Sequence, residues 1–202
     1  MKKSFFLVLE GLDGAGGSTQ SNLLKRYFED KHIQPVFVKS PEYETEVGRA
    51  IRDYLNGKVK LKTEQAFLLF ATDVLNSVPK IKEGLKENKI VFADRYVTST
   101  IAYQCANGFS FESALKFVKS NNYPEVDRII FIDIKPETSM ERKMREGALD
   151  IHERNLKFLR EVRGFYMKEI KENVLGEWVV IDGEKSKEEI HKNILKIINS
   201  LK

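Results

Sequence analysis

The chain has one cysteine among its 202 residues, Cys105, so it can form neither an intrachain disulfide nor a thiolate zinc cage. A single thiol of this kind reads as a small packing group in a reducing compartment. Neither His32 nor His152 has metal-ligand spacing, and both read as surface residues. Five prolines and the lack of any Pro-, Gly- or Ser-rich tract leave no interdomain linker, and no internal repeat is visible. No apolar run approaches the roughly 20 residues that a membrane helix needs. Phe5 to Leu9, after Lys2 and Lys3, is too short for a secretory core, and Glu10 ends it. No charge of one sign dominates. Lys and Arg number 34 against 30 Asp and Glu, interspersed, for a net charge of +4. A nucleic-acid binder would carry a denser basic stripe. These absences predict a soluble, cytoplasmic, single-domain protein over residues 1–202, without nucleic-acid or membrane partners.

Short apolar runs alternate with helical periods. Strands are expected near residues 5–9, 35–38, 90–93, 128–132 and 178–181. Helices are expected from Ser18, over Val47 to Leu55, and from Thr63 onward, with Pro79 interrupting or kinking the last before a stretch to Lys86. Further helices are expected over 97–106, 111–120, 136–173 with a break near Gly147, and 186–201. Strand–helix alternation of this kind predicts an α/β fold with a five-stranded parallel sheet covered on both faces. Ligands then bind at the carboxyl ends of the strands, in the turns after Leu9, Val38, Ala93 and Ile132.

The first of these turns is Gly11-Leu12-Asp13-Gly14-Ala15-Gly16-Gly17-Ser18-Thr19. Its spacing is that of a phosphate-binding loop. Glycines let backbone N–H groups curl toward phosphate oxygens, and the helix that follows adds its positive end. Ser18 stands where a Mg²⁺-binding hydroxyl belongs. The lysine that normally precedes it is replaced by Gly17, which removes a point charge from the β- and γ-phosphates. Without that lysine the same residues also fit a Gly-rich turn with no ligand.

Leu9 to Gly16, Ser18-Thr19-Gln20, Pro41-Glu42 through Gly48, Asp94-Arg95-Tyr96, Ser99 to Gln104, and Arg142 to Glu153 resemble thymidylate kinase. The resemblance covers nearly the whole chain. It implies a P-loop NTPase-type three-layer fold with a small helical lid at about 140–154, ATP and Mg²⁺ as phosphate donor and metal, dTMP as acceptor, and a homodimer. It implies that Asp13 lies beside the acceptor sugar and phosphate. Arg95 would clamp the acceptor phosphate, and Asp94 would organise Mg²⁺ or its waters with Ser18. Phe70 would stack on the base. Ser99, Thr100, Tyr103 and Gln104 would line the base and sugar pocket, with Pro41 and Glu42 nearby. Gly14 stands where one branch of the family carries arginine. Arg142, Lys143 and Arg145 fit the branch that takes its cations from the lid, with Lys143 on the ATP side.

Three positions depart from the family pattern: Gly17, Tyr43 in place of an arginine after Pro-Glu, and Val74 in place of a base-reading arginine. They keep two alternatives open: a catalytically weak nucleotide-binding homologue, or a kinase for a different monophosphate. Lys39, at the end of the second strand, is a candidate replacement for a lost phosphate contact. Asp94-Arg95 could equally form a structural ion pair, Phe70 a core contact, and the lid cations a solvated face.

Overall fold

A computed structural model describes residues 4–147 and 155–201. The apolar runs form five strands: β1 (Phe6–Gly11), β2 (Val36–Lys39), β3 (Val91–Asp94), β4 (Val126–Asp133) and β5 (Gly176–Asp182). Among the described residues the helices are α1 (Gly17–Asp30), α2 (Glu46–Leu55), α3 (Thr63–Lys86), α4 (Val97–Ala106), α5 (Phe111–Ser120), α6 (Pro136–Glu146), α7 (Leu156–Glu172) and α8 (Lys187–Leu201).

All strands pair in parallel in the order β2-β3-β1-β4-β5. A run such as Phe6-Leu7-Val8-Leu9 has no polar face, so it must be covered on both sides. Every residue of β1 is buried accordingly. The chain builds β2 and β3 on one side of β1, and β4 and β5 on the other. The topological switch therefore falls at β1, whose carboxyl end opens the crevice. Register sets the lateral neighbours there: Leu9 is opposite Asp94, and Asp94 is opposite Lys39.

The expected interruption at Pro79 does not occur, and α3 runs through it. A proline inside a helix costs about 3 kcal/mol. The buried stripe of Val74, Val78 and Ile81 continues across it, and each such side chain gains roughly 1.5–3 kcal/mol on burial. The sum favours one helix. Ser40–Pro41 is a cis peptide bond at the end of β2. Cys105 is buried, and burial pushes its thiol up to about 12, in keeping with a packing role. No helix among the described residues is long and apolar enough to cross a membrane.

Candidate active site

The β1–α1 loop turns back on itself through Ala15 N–H donating to Leu12 O at 3.0 Å. Gly14 and Gly16 take φ of 77° and 94°, a region in which glycine has no side-chain penalty. At Gly11 the need is space: a Cβ would lie 2.9 Å from Ile132 O on the neighbouring strand. Helix α1 starts at Gly17 with no side-chain cap and no acid in its first turn. Its leading N–H groups therefore face the crevice without an internal competitor, as an anion site requires.

Two connected clefts open here. The larger, about 680 Å³, is lined by Gly11 to Gln20 and by Lys39, Asp94, Arg142, Lys143, Arg145, Lys185 and Lys187. The smaller, about 180 Å³, is lined by Leu55, Phe70, Ser99, Thr100 and Tyr103. Asp13, Ser40, Pro41, Tyr43, Arg95 and Lys143 line both, so they form the boundary. On that boundary Arg95 Nη2 donates to Asp13 Oδ1 at 2.7 Å, and Tyr103 Oη donates to Asp13 Oδ2 at 2.8 Å. Arg95 Nη1 also donates to Ser99 Oγ at 3.1 Å. Burial works against the Arg95 cation, but the oxygens of Tyr103 and Asp13 outweigh it and hold its pKa well above the ordinary value. Arg95 itself has φ of 69°, which is unusual for a non-glycine residue and typical of functional sites.

What holds Arg95 in that conformation lies beneath it. The Glu10 carboxylate is buried and accepts from Tyr96 N–H at 3.0 Å, Ser99 N–H at 3.2 Å, Thr98 Oγ1 at 2.6 Å and Tyr166 Oη at 2.8 Å. Ser99 Oγ donates to it as well. Glu10 thus caps α4 at its amino end and holds Tyr96, the residue that follows Arg95. Burial pushes its pKa up, while Arg95, Ser99, Thr98 and Tyr166 act against that. Five donors and no acceptor suit the ionised form, which only accepts. Asp73 plays a similar part on the other wall, accepting from Ser40 Oγ at 2.6 Å and Glu42 N–H at 3.1 Å. Burial raises its pKa too.

Ser18 Oγ lies 3.4 Å from Asp94 Oδ2. These are hard oxygen donors at the foot of the loop, as magnesium chemistry requires. Among the described residues no group of three or more His, Cys, Asp or Glu side chains could hold a metal alone. Lys39 Nζ is 3.3 Å from Ser18 Oγ and 3.7 Å from Asp94 Oδ2.

The geometry brings most of the sequence candidates together. The loop residues Gly11 to Thr19, Asp94, Arg95, Pro41, Phe70, Ser99, Thr100 and Tyr103 line one cleft or both. Phe70 meets Tyr54 edge to face at 6.2 Å between ring centroids. Gln104 falls elsewhere: it is wholly buried and forms no part of either wall. It sits one residue after Tyr103 on α4, and a single step rotates a helical side chain away from the face its neighbour presents. Glu42 also lies outside both clefts and faces a third cavity shared with Ser18, Lys39 and Asp94. The lid cations are already engaged. Arg142 donates to Gly14 O at 3.0 Å and Gly183 O at 3.3 Å, Lys143 pairs with Glu146, and Arg145 with Glu141. Of the expected lid and of the candidate turn, residues 148–154 lie outside the described residues, His152 among them. Val74 is a core residue, 1% exposed, so that position packs and does not read a base.

Sequence reasoning missed Glu10, Asp73, Ser139 and Tyr166 as site supports, and Lys185 and Lys187 as cleft residues. The two lysines follow the carboxyl end of β5, and the strand-end rule would have found them. Ser139 Oγ donates to Asp13 O at 2.6 Å, a contact with no local signal in sequence.

The family model for thymidylate kinase matches residues 9–194. The chain belongs to the thymidylate kinase family. It is 34% identical over 199 residues to a thymidylate kinase of Fervidobacterium nodosum, covering 96% of this chain and 98% of that one. A probable thymidylate kinase of Pyrococcus abyssi is 32% identical over 204 residues, covering 97% and 96%. The thymidylate kinase of Schizosaccharomyces pombe is 29% identical over 201 residues, covering 96% and 91%. The matched residues take in the second half of β1, the lining of both clefts and about half of α8.

Proposed function

We propose that the protein transfers the γ-phosphoryl group of ATP to dTMP, giving ADP and dTDP. The observation that carries this is the shared boundary of the two clefts, where Asp13, Arg95 and Tyr103 meet. A donor triphosphate on the loop and a monophosphate in the smaller cleft would bring their phosphates together at that line. Membership of the thymidylate kinase family supports the same assignment.

The chemistry asks little of a base. A phosphate monoester carries nearly two charges at neutral pH, since its second pKa is near 6. Its oxygen forms a bond to Pγ while the bond from Pγ to the β,γ-bridging oxygen breaks, and ADP leaves with that electron pair. Catalysis is then positioning and charge compensation. Arg95 presents a planar fork to the acceptor phosphate, and Asp13 and Tyr103 hold that fork in place. Phe70, Leu55 and Thr100 form the far wall and are the surface on which the thymine ring would rest. Ser18 and Asp94 would hold Mg²⁺ on the donor phosphates, directly or through water. A bound Mg²⁺ supplies charge neutralisation there. Arg142 and Lys143 pack against Gly14, a contact that supports the lid role for the 140–154 segment. Residence in the cytoplasm and a homodimer belong to the same proposal. Light scattering tests the homodimer.

A coupled ADP-release assay with dTMP, dUMP and other monophosphates tests the activity. Turnover highest with dTMP is the expected result. Turnover of a different acceptor alone would move the assignment to another monophosphate. Tight ATP binding with no turnover of any acceptor would favour the nucleotide-binding homologue, the second reading that Gly17 motivates.

A further inference from the structure

We propose that Lys39 supplies, from the adjacent part of the sheet, the cation that position 17 lacks, and contacts the donor polyphosphate during transfer. The inference rests on the kinase reading above and deepens it. Its basis is a juxtaposition: Lys39 Nζ donates to Ser18 Oγ at 3.3 Å, on the residue immediately after Gly17. The same ammonium group lies 3.7 Å from Asp94 Oδ2.

The sheet dictates this arrangement. Lys39 is the last residue of β2 and pairs in register with Asp94, the last residue of β3. Laterally paired residues sit about 4.8 Å apart and project to the same face. The lysine side chain is thereby carried across Asp94 to the foot of the loop. It lines the larger cleft together with the whole Gly11 to Gln20 turn. The Asp94 carboxylate also fills the space beside Gly17, where a Cβ would meet Asp94 Oδ1 at 3.2 Å and nothing else within 4 Å. One carboxylate therefore faces both the lysine that is present and the position of the lysine that is missing.

The pair itself has little structural value. The Lys39 side chain is 55% exposed, and ion pairs of that exposure contribute at most about 1 kcal/mol. The other cations that line the cleft have partners of their own, Lys143 in Glu146, Lys185 in Asp182 and Lys187 in Glu188. Arg142 is tied to the carbonyls of Gly14 and Gly183, and Arg145 to Glu141. A half-exposed ammonium group over Ser18 can exchange its Asp94 contact for phosphate oxygens. In that position it donates hydrogen bonds to non-bridging oxygens and opposes the charge that gathers on the leaving ADP oxygen. It forms no covalent bond and gives up no proton.

The test is a cycle of Lys39→Met, Gly17→Lys and the double variant, each measured for dTMP turnover, thermal midpoint and ATP binding by calorimetry in EDTA and in Mg²⁺. Lys39→Met should lower kcat by about 100-fold or more with a change of at most threefold in KM for dTMP. It should also weaken metal-free ATP binding by about tenfold, with the thermal midpoint unmoved. Gly17→Lys should restore most of that loss in the double variant and do far less in the parent, because the two ammonium groups serve one purpose. A Lys39→Met enzyme with parental kcat and parental ATP affinity overturns the proposal. So does a kcat loss that Gly17→Lys fails to rescue while the fold is intact. If the parent turns over no monophosphate, the kinase reading fails on its own. The metal-free ATP affinities then decide the Lys39 contact separately.

Discussion

The Arg95 guanidinium and the Asp13 carboxylate are 2.7 Å apart, on the boundary of the two clefts, and reach it from opposite sides of the crevice. Asp13 stands in the loop after β1, and Arg95 in the turn after β3. The pair fixes the separation of those two turns, and Tyr103 closes the triangle by donating to the second Asp13 oxygen. Arg95→Lys keeps the charge and loses the fork. We expect kcat/KM for dTMP to fall by about 100- to 1000-fold, with ATP binding changed less than threefold. Steady-state kinetics with each substrate varied will show the asymmetry.

Beneath that pair, Glu10 bears the turn that presents Arg95. Replacing it by alanine would orphan five donors in a buried site. The expected loss is roughly 3–5 kcal/mol in chemical denaturation. Glu10→Gln should cost less and still lower kcat, since an amide nitrogen would face donors. Urea melts of both variants, read beside their kinetics, check this.

Gly48 is held against the Pro41–Tyr43 turn so tightly that a Cβ would fall 1.9 Å from Glu42 O. Gly48→Ala must push α2 or that turn aside. Pro41 and Tyr43 line both clefts, so the KM for dTMP should rise about tenfold or more, along with a loss of roughly 2 kcal/mol in stability. An unchanged KM at reduced stability would show that the turn yields without moving the cleft.

Glu169 on α7 is fully buried, and neither carboxyl oxygen has a hydrogen-bond partner among the described residues. Burial, then the charges of Glu10 and Glu172, raise its pKa well above the ordinary value. The folded state therefore binds this proton more tightly than the unfolded chain. Its contribution to stability is fully present below the unfolded value of 4.5 and is lost as pH rises through the raised folded value. Glu169→Met removes the buried acid. The variant should flatten the decline of thermal midpoint with rising pH, with its largest gain over the parent on the alkaline side.

Much of this architecture was legible in the amino-acid order because strand and helix periods differ so sharply. The helices at 97–106 and 111–120 fall where their patterns predicted. Pro79 does not end α3, because a buried stripe extending to either side outweighs local propensity there. Among the site residues, the loop and the Asp94-Arg95 turn were legible because chemistry needs them at strand ends. Gln104 was assigned to the cleft by the family resemblance, but the helix turns it into the core. Glu10, Asp73 and Tyr166 were invisible because each acts on a residue distant in the chain. A buried carboxylate looks, in one dimension, like any other acid.

The central place of β1 has a temporal consequence during synthesis. Its flanking strands are β3 and β4, which end at Asp94 and Asp133. About two-thirds of the 202 residues are therefore made before the first strand has neighbours on both edges. Asp94 is in place earlier, with β3, but until β4 is made the glycine-rich turn has no floor from Ile132. Nucleotide capture by the nascent polypeptide should begin only once β4 clears the exit tunnel, well after the residues that grip phosphate have been made.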